Sequence, residues 1–508
     1  MSPVRDRSFL DDRDSGINSN YTLAKEHISN SSNESKNISN GVSKKYIAIL
    51  ILLLAVGIFF PPEAGLSSRS GSASGTDIYA QSDGQDEPKD RLSPDDIQRN
   101  MKSYKTIVEK IRGRKFKSDV LFQIQSTKEF KEFVAQEWDK SMKDKGQLVQ
   151  SALIKLGLLP KNYDLKKGFE SLLVGQAAAY YNPETKSMYL LKTDYPPQEV
   201  DSIMIHELSH ALQDQYCDLT KFNNQTDDDK DAALKYLIEG EATYIMTIGG
   251  LERMGMSFTP DSPVLEMTFN RMKLMGRREL LQLNKASVEL YKNLAPDVAE
   301  SLKSLNNAPV YLFWILQAPY LHGASAVYRL VTFDETQKNW QVIDGLYENI
   351  PLSTEQMIHP DKLTEPRDDP VTIPRPSLTE DWVVLYENTL GELGFWILYS
   401  QYDKNDARQS SEGWGGDKYF LIKNNKTNDT ILCLSTAWDS VEDASESYKA
   451  YQKVISKKYS TVEIQKIEKG DEGAEKITYT ADNSKIILTL KNNKWTAVEG
   501  IPPEMDWK

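Results

Sequence analysis

Five histidines occur in 508 residues, and two of them stand in His206-Glu207-Leu208-Ser209-His210. On a helix, residues four apart share one face, one turn above each other. Two imidazoles so placed can hold one zinc ion, and the glutamate between them can take a proton from a water beside it. That chemistry is hydrolysis of an amide bond. Three fixed positions make a weak motif, but the setting strengthens it: apart from Glu207, no Pro, Gly or charge interrupts residues 202–213. Pro196 and Pro197 fit a first helical turn. Val200, Ile203, Met204, Leu208, Ala211 and Leu212 supply apolar positions for burial.

Catalytic zinc takes three protein ligands and keeps one open position. No histidine follows His210 before His322, so the third ligand is expected to be a carboxylate. Leu237-Ile238-Glu239-Gly240-Glu241-Ala242 offers two. Two residues apart on a helix, Glu239 and Glu241 point to nearly opposite sides, so only one can face a metal. Apolar neighbours surround both, and periodicity leaves the choice open. Asp227, Asp228, Asp229 and Asp231 are further candidates.

H-E-x-x-H followed by E-G-x-A resembles the gluzincin metallopeptidases. The glutamate of their E-G-x-A run, on the next long helix, is the third ligand; matched residue by residue, that is Glu239. The polar, acidic insert at 222–231 accommodates a spacing longer than in the best-known members. Tyr181-Asn182-Pro183, HELSHALQDQ at 206–215, Pro319-Tyr320-Leu321-His322-Gly323 and Ser353-Thr354-Glu355-Gln356 resemble a family of prokaryotic gluzincin-like proteins across residues 100–365. EGWGGDKY at 412–419 is similar to that family's C-terminal region. The resemblance implies a zincin-like fold and a zinc metallopeptidase, with His206, His210 and Glu239 as ligands and Glu207 as general base. Tyr320 and His322 are candidate donors to a developing oxyanion, with Tyr244 and His359 as weaker ones. Asp214, one turn past His210, is placed to orient a ligand histidine.

These residues need a scaffold, and the rest of the chain outlines one. Val120–Ile124 reads as a strand. Residues 95–112 and 127–157 read as helices, and 179–191 as a hairpin just before the H-E-x-x-H helix. Residues 231–350 are mostly helical by pattern. Strand-like runs at 418–423, 430–437, 475–480, 485–491 and 494–498 surround a helix at 441–458, with Ser440 as a possible cap. The expected fold is therefore α+β: a mostly helical domain with a small sheet at 96–375, then a C-terminal α+β domain at 376–508.

The N-terminal part reads differently. Residues 1–43 are Ser/Asn-rich and suggest a disordered cytoplasmic tail. Residues 46–60 form an uncharged apolar run after Lys44 and Lys45, so 44–61 is expected to be a transmembrane helix with the bulk of the chain extracytoplasmic. The alternative is cleavage after Ala73 or Ala80 and secretion. Residues 62–95 read as a flexible stalk.

A net charge of −13 argues against nucleic-acid binding. Cys217 and Cys433 exclude a disulfide scaffold and are expected as two separate thiols, not zinc ligands. The expected partners are a peptide or protein substrate and, through the N-terminal helix, the membrane; the sequence leaves oligomeric state open. The rival reading is a cell-surface recognition protein with an inactive or structural zinc site. In it, Trp396, Trp414, Trp438 and Trp495 would form a binding face for peptide or glycan.

Overall fold

The computed structural model describes residues 92–191, 197–294, 296–332, 340–364, 366–505 and 507, and the backbone of Ala48–Ile51. The tail expected at 1–43 and nearly all of the stalk expected at 62–95 lie outside the described residues. So does the segment 44–61, apart from Ala48–Ile51. Those four residues form a strand, β1, rather than part of the expected helix, because their backbone pairs antiparallel with a later strand. No described helix is long and apolar enough to cross a membrane.

The first half of the chain is built from helices around a small sheet. Helix α1 (Pro94–Arg112) starts at Ser93, whose side chain forms a capping box with Asp96. Strand β2 (Leu121–Ile124) leads to α2 (Thr127–Met142) and α3 (Gly146–Leu156). The single helix expected at 127–157 is thus broken at 143–145. Helix α4 (Leu165–Gln176) runs into β3 (Ala177–Asn182), and β4 (Ser187–Leu190) returns as the second strand of the expected hairpin. The sheet order is β1-β3-β4-β2, with β2 parallel to β4 and the other pairs antiparallel.

Two long helices follow, α5 (Pro197–Cys217) and α6 (Asp228–Arg253). Residues 200–214 of α5 and 236–250 of α6 are buried on every face, the pattern of helices forming a core rather than covering one. Asp201 ties α5 to its neighbours: it accepts from the Tyr104 hydroxyl of α1 at 2.6 Å and from Arg253 Nε of α6 at 2.5 Å. Helices α7 (Pro263–Leu274), α8 (Arg277–Leu294) and α9 (Pro296–Asn306) lead to α10 (Val310–Thr332), which packs along α6. Two short helices, α11 (Gln341–Glu348) and α12 (Thr354–Ile358), complete this region.

The C-terminal region is a seven-stranded antiparallel sheet. Its strands are β5 (Trp382–Asn388), β6 (Trp414–Asn424), β7 (Thr430–Trp438), β8 (Val462–Lys469), β9 (Glu475–Ala481), β10 (Ser484–Lys491) and β11 (Lys494–Ile501). They lie in the order β5-β6-β7-β11-β10-β9-β8. Helices α13 (Gly391–Tyr402) and α14 (Val441–Lys458) pack against it. Trp414, Trp438 and Trp495 are buried, and their indole N–H groups donate to Asp417, Thr436 and Ser447. They are core residues, which removes them from the binding face considered above.

The described residues of 96–375 and 376–508 belong to one packed unit and share an interface. Tyr402 donates to the Gly157 carbonyl at 3.0 Å, Lys155 to the Thr430 carbonyl at 2.9 Å, and Lys418 pairs with Asp227 at 2.8 Å.

A close backbone contact between α6 and α10 helps position the turn of α6 that carries Glu239. A Cβ on Gly240 would lie 2.3 Å from the carbonyl carbon of Gly323 on α10, and one on Gly323 would lie 2.4 Å from the Tyr236 carbonyl oxygen. Only hydrogen atoms fit between these backbones. Gly240→Ala should therefore destabilise the protein by about 1–3 kcal/mol through overpacking. Gly345→Ala is the control: a Cβ there meets nothing within 4 Å, and helix propensity should stabilise by roughly 0.5–1 kcal/mol. Denaturant midpoints of the two variants check the pair; equal effects would contradict the packing.

Candidate metal centre

Residues 206–210 lie in the buried middle of α5, where it crosses α6. His206 and His210 are wholly buried, and both turn Nε2 toward Glu239 of α6. The two Nε2 atoms are 3.0 Å apart, and Glu239 Oε2 lies 3.2 Å from one and 3.3 Å from the other. Ligands held at about 2.0–2.1 Å in a tetrahedron lie about 3.3–3.4 Å apart. The triangle is within a few tenths of an ångström of that size.

Gln213, one turn past His210, fixes the chemistry of one imidazole. Its Nε2 donates to the Ile238 carbonyl at 2.9 Å, so its Oε1 faces His210 Nδ1 at 2.8 Å. An oxygen there requires Nδ1 to carry the proton, which leaves the Nε2 lone pair for a cation. The same carboxamide joins α5 to the turn of α6 that carries Glu239. His206 Nδ1 is buried without such a partner.

The charges are coupled. Burial opposes charge on all three groups. In His210 the Glu239 carboxylate outweighs it and raises the imidazole to about 9, while burial holds His206 down at about 4. Burial would raise Glu239, but the facing imidazoles pull it down to about 2. Glu207 is wholly buried, and neither of its oxygens has a well-formed hydrogen bond. Burial pushes it up to about 8 against the pull of His210; added positive charge in the cluster would return it to the carboxylate.

The structure separates the two glutamates left open by periodicity. Glu241 points the other way, where it accepts from Arg112 Nε at 2.5 Å and from the Tyr347 hydroxyl at 2.7 Å. The aspartates are elsewhere: Asp227 caps α6, Asp229 accepts from Thr354, Asp231 pairs with Lys235, and the backbone N–H of Asp228 donates to Asn388. Asp214 does not orient a histidine. It accepts from the Tyr181 hydroxyl at 2.7 Å and from Lys186 at 2.8 Å, pinning α5 to the β3–β4 hairpin. Gln213 takes the role expected of Asp214; its place three residues after His210, on the same helical face, was the available signal.

Tyr320 and His322, two residues apart on α10, diverge. The Tyr320 ring stacks near His206 with centroids 5.9 Å apart. His322 instead packs between Trp314 and Trp396, with Nδ1 3.4 Å from the Tyr236 hydroxyl. Tyr244 stacks on Phe269 in the core, and His359 contacts Glu392. Cys217 and Cys433 are both free thiols, outside the cluster.

A cavity of about 230 Å³ opens beside the triangle, with Glu239 and Tyr320 in its wall. Trp138, Leu153, Phe169 and Leu316 make much of the remainder apolar, and Lys235 and Glu137 supply polar edges.

A family described as a domain of unknown function (DUF8575) matches residues 381–506, a stretch similar to that family and beginning close to the boundary expected at 376. No curated protein and no solved structure matches the chain.

The geometry separates the glutamates experimentally. Glu239→Gln should lose bound metal, measured by elemental analysis of purified protein, with the fold retained. Glu241→Gln should keep the metal but lose stability, because it breaks a buried ion pair worth about 3–5 kcal/mol when one partner is removed. The reverse pattern would reassign the ligand.

Proposed function

We propose that the chain is a zinc-dependent metallopeptidase of the two-histidine, one-glutamate type. The observation that carries this reading is the buried His206–His210–Glu239 triangle, with Glu207 buried beside it and lacking a well-formed hydrogen bond. A purely structural cluster has no use for a second carboxylate buried without a well-formed hydrogen bond, which is costly unless function requires it. The donor set suits zinc: two imidazole nitrogens and one carboxylate oxygen, with Glu239 also in the cavity wall.

His206 and His210 would hold the metal through Nε2 and Glu239 through Oε2, with Gln213 keeping the His210 tautomer. Zinc, when bound there, supplies an acidified water and polarises the scissile carbonyl. Glu207 accepts the water proton and delivers it to the leaving amine. Tyr320, beside His206 and in the cavity wall, is the residue placed to donate to developing negative charge. The cavity receives a bulky apolar side chain of the substrate next to the cleaved bond. His322 has no part in this step, because its helix turns it away.

The chain's N-terminal segment supports action outside the cell, at the membrane. The fifteen apolar residues 46–60 after Lys44 and Lys45 suit an anchor or a signal segment. The strand at Ala48–Ile51 and a membrane helix are exclusive uses of the same backbone N–H groups. Alkaline washing of cell membranes distinguishes them: an anchored protein stays in the pellet, and a strand-docked one is released.

The central test uses the full chain and a mixed peptide library. Wild type should bind zinc and cleave next to large apolar residues. Glu207→Gln should retain zinc and lose activity by roughly 10²–10⁴-fold. Unchanged cleavage in Glu207→Gln would remove the mechanism, and wild-type protein that takes up no zinc would remove the site.

A further inference from the structure

His322 faces a second cavity, on the far side of α10 from Tyr320, where the helical region meets the C-terminal region. Its volume of about 40 Å³ suits a few waters or one small oxyanion. The floor holds three buried side-chain atoms with no hydrogen-bond partner: His322 Nε2, Ser325 Oγ and Glu392 Oε2. Three unsatisfied atoms converging on one cavity call for a ligand.

Their chemistry indicates which kind. The hydroxyl of wholly buried Tyr236 lies 3.4 Å from His322 Nδ1. With that hydroxyl as the donor, the imidazole proton sits on Nε2 and His322 presents a donor to the cavity. Ser325 presents a second. Glu392 Oε1 faces His359 Nε2 at 3.0 Å. Burial raises the Glu392 carboxyl, and the facing His359 pulls it back down.

The rim is cationic: Lys273 of α7, Arg329 of α10 and Arg408 of the segment after α13 line it. Burial and the two guanidinium groups hold the Lys273 ammonium below its usual range, outweighing Glu392 and Glu412, as expected where like charges converge. Arg408 lies over the Trp396 ring at 5.1 Å and donates to the Lys273 carbonyl at 3.2 Å, which orients its fork. Arg329 has a looser partner in Asp361 at 3.5 Å. Against these three cations stand Glu392 and the exposed Glu412.

We propose that this cavity binds a small oxyanion, a phosphate or carboxylate group, free or as the end of a larger molecule. Lys273, Arg329 and Arg408 attract it at the rim, and His322 and Ser325 donate to it from the floor. The site is independent of the metal reading. It joins α7, α10 and α12 to the region matched at 381–506, so an occupant bridges the two halves of the molecule.

The test is calorimetric titration of the full chain, in chloride buffer at fixed ionic strength, with inorganic phosphate, glycerol 3-phosphate and acetate. At least one should bind saturably at a single site. Tighter glycerol 3-phosphate indicates a terminal phosphate, tighter inorganic phosphate a free ion, and tighter acetate a carboxylate. Arg408→Gln, at an exposed position, and Ser325→Ala should each weaken binding about tenfold or more. Arg375→Gln, at an exposed pair with Glu387, should leave it unchanged. Binding should also persist in Glu239→Gln, because a metal at the first site could itself capture these anions. No saturable binding of any of the three would overturn the proposal. So would wild-type affinity in both cavity variants, or loss of binding in Glu239→Gln.

Discussion

The architecture turns on four ionisable groups, His206, Glu207, His210 and Glu239, placed where two core helices cross. Burying charge is costly unless the charges meet each other or a bound ion. Here three of them meet: the imidazoles and Glu239 hold one another, and the carboxylate is stabilised as an anion by the same contact that raises His210. Glu207 lacks a well-formed hydrogen bond, and the pull of His210 does not offset its burial. The cluster is thus balanced for three members and unbalanced for the fourth, an imbalance that a divalent cation would correct.

Precision at this crossing comes from backbone packing. Gly240 separates Glu239 from Glu241 and lets α10 press against α6 at Gly323. The two glutamates then serve different ends. Glu239 closes the triangle, while Glu241, with Arg112 and Tyr347, anchors α6 to α1 and α11 on the opposite side. The same contact orients α10, whose successive faces carry Tyr320 toward the metal cluster and His322 toward the oxyanion cavity. One helix therefore spans both sites.

Much of this arrangement is legible in the amino-acid sequence, for physical reasons. Two histidines four apart on an uninterrupted apolar run define a face regardless of the surrounding fold. The hairpin and most C-terminal strands show the alternation of half-buried sheets. Other features do not. Helices α5 and α6 are buried all round, so no amphipathic stripe could separate Glu239 from Glu241. Strand β5 follows a proline-rich stretch. Strand β8 exposes most of its side chains and so lacks alternation. Helix α13 is a short apolar run whose period does not separate helix from strand. His322 lies in a motif that resembles a catalytic one, and only the direction of its side chain, set by the helix twist two residues past Tyr320, separates it from the His206–His210–Glu239 cluster.

The central claim concerns what sits among His206, His210 and Glu239, and X-ray absorption at the zinc edge on the purified full chain addresses it most directly. The account predicts one zinc per chain with nitrogen or oxygen neighbours at about 2.0–2.1 Å and the scattering signature of two imidazoles. A sulfur neighbour at about 2.3 Å would place the metal on a cysteine instead. Sulfur ligation, or protein that takes up no zinc, would contradict the account.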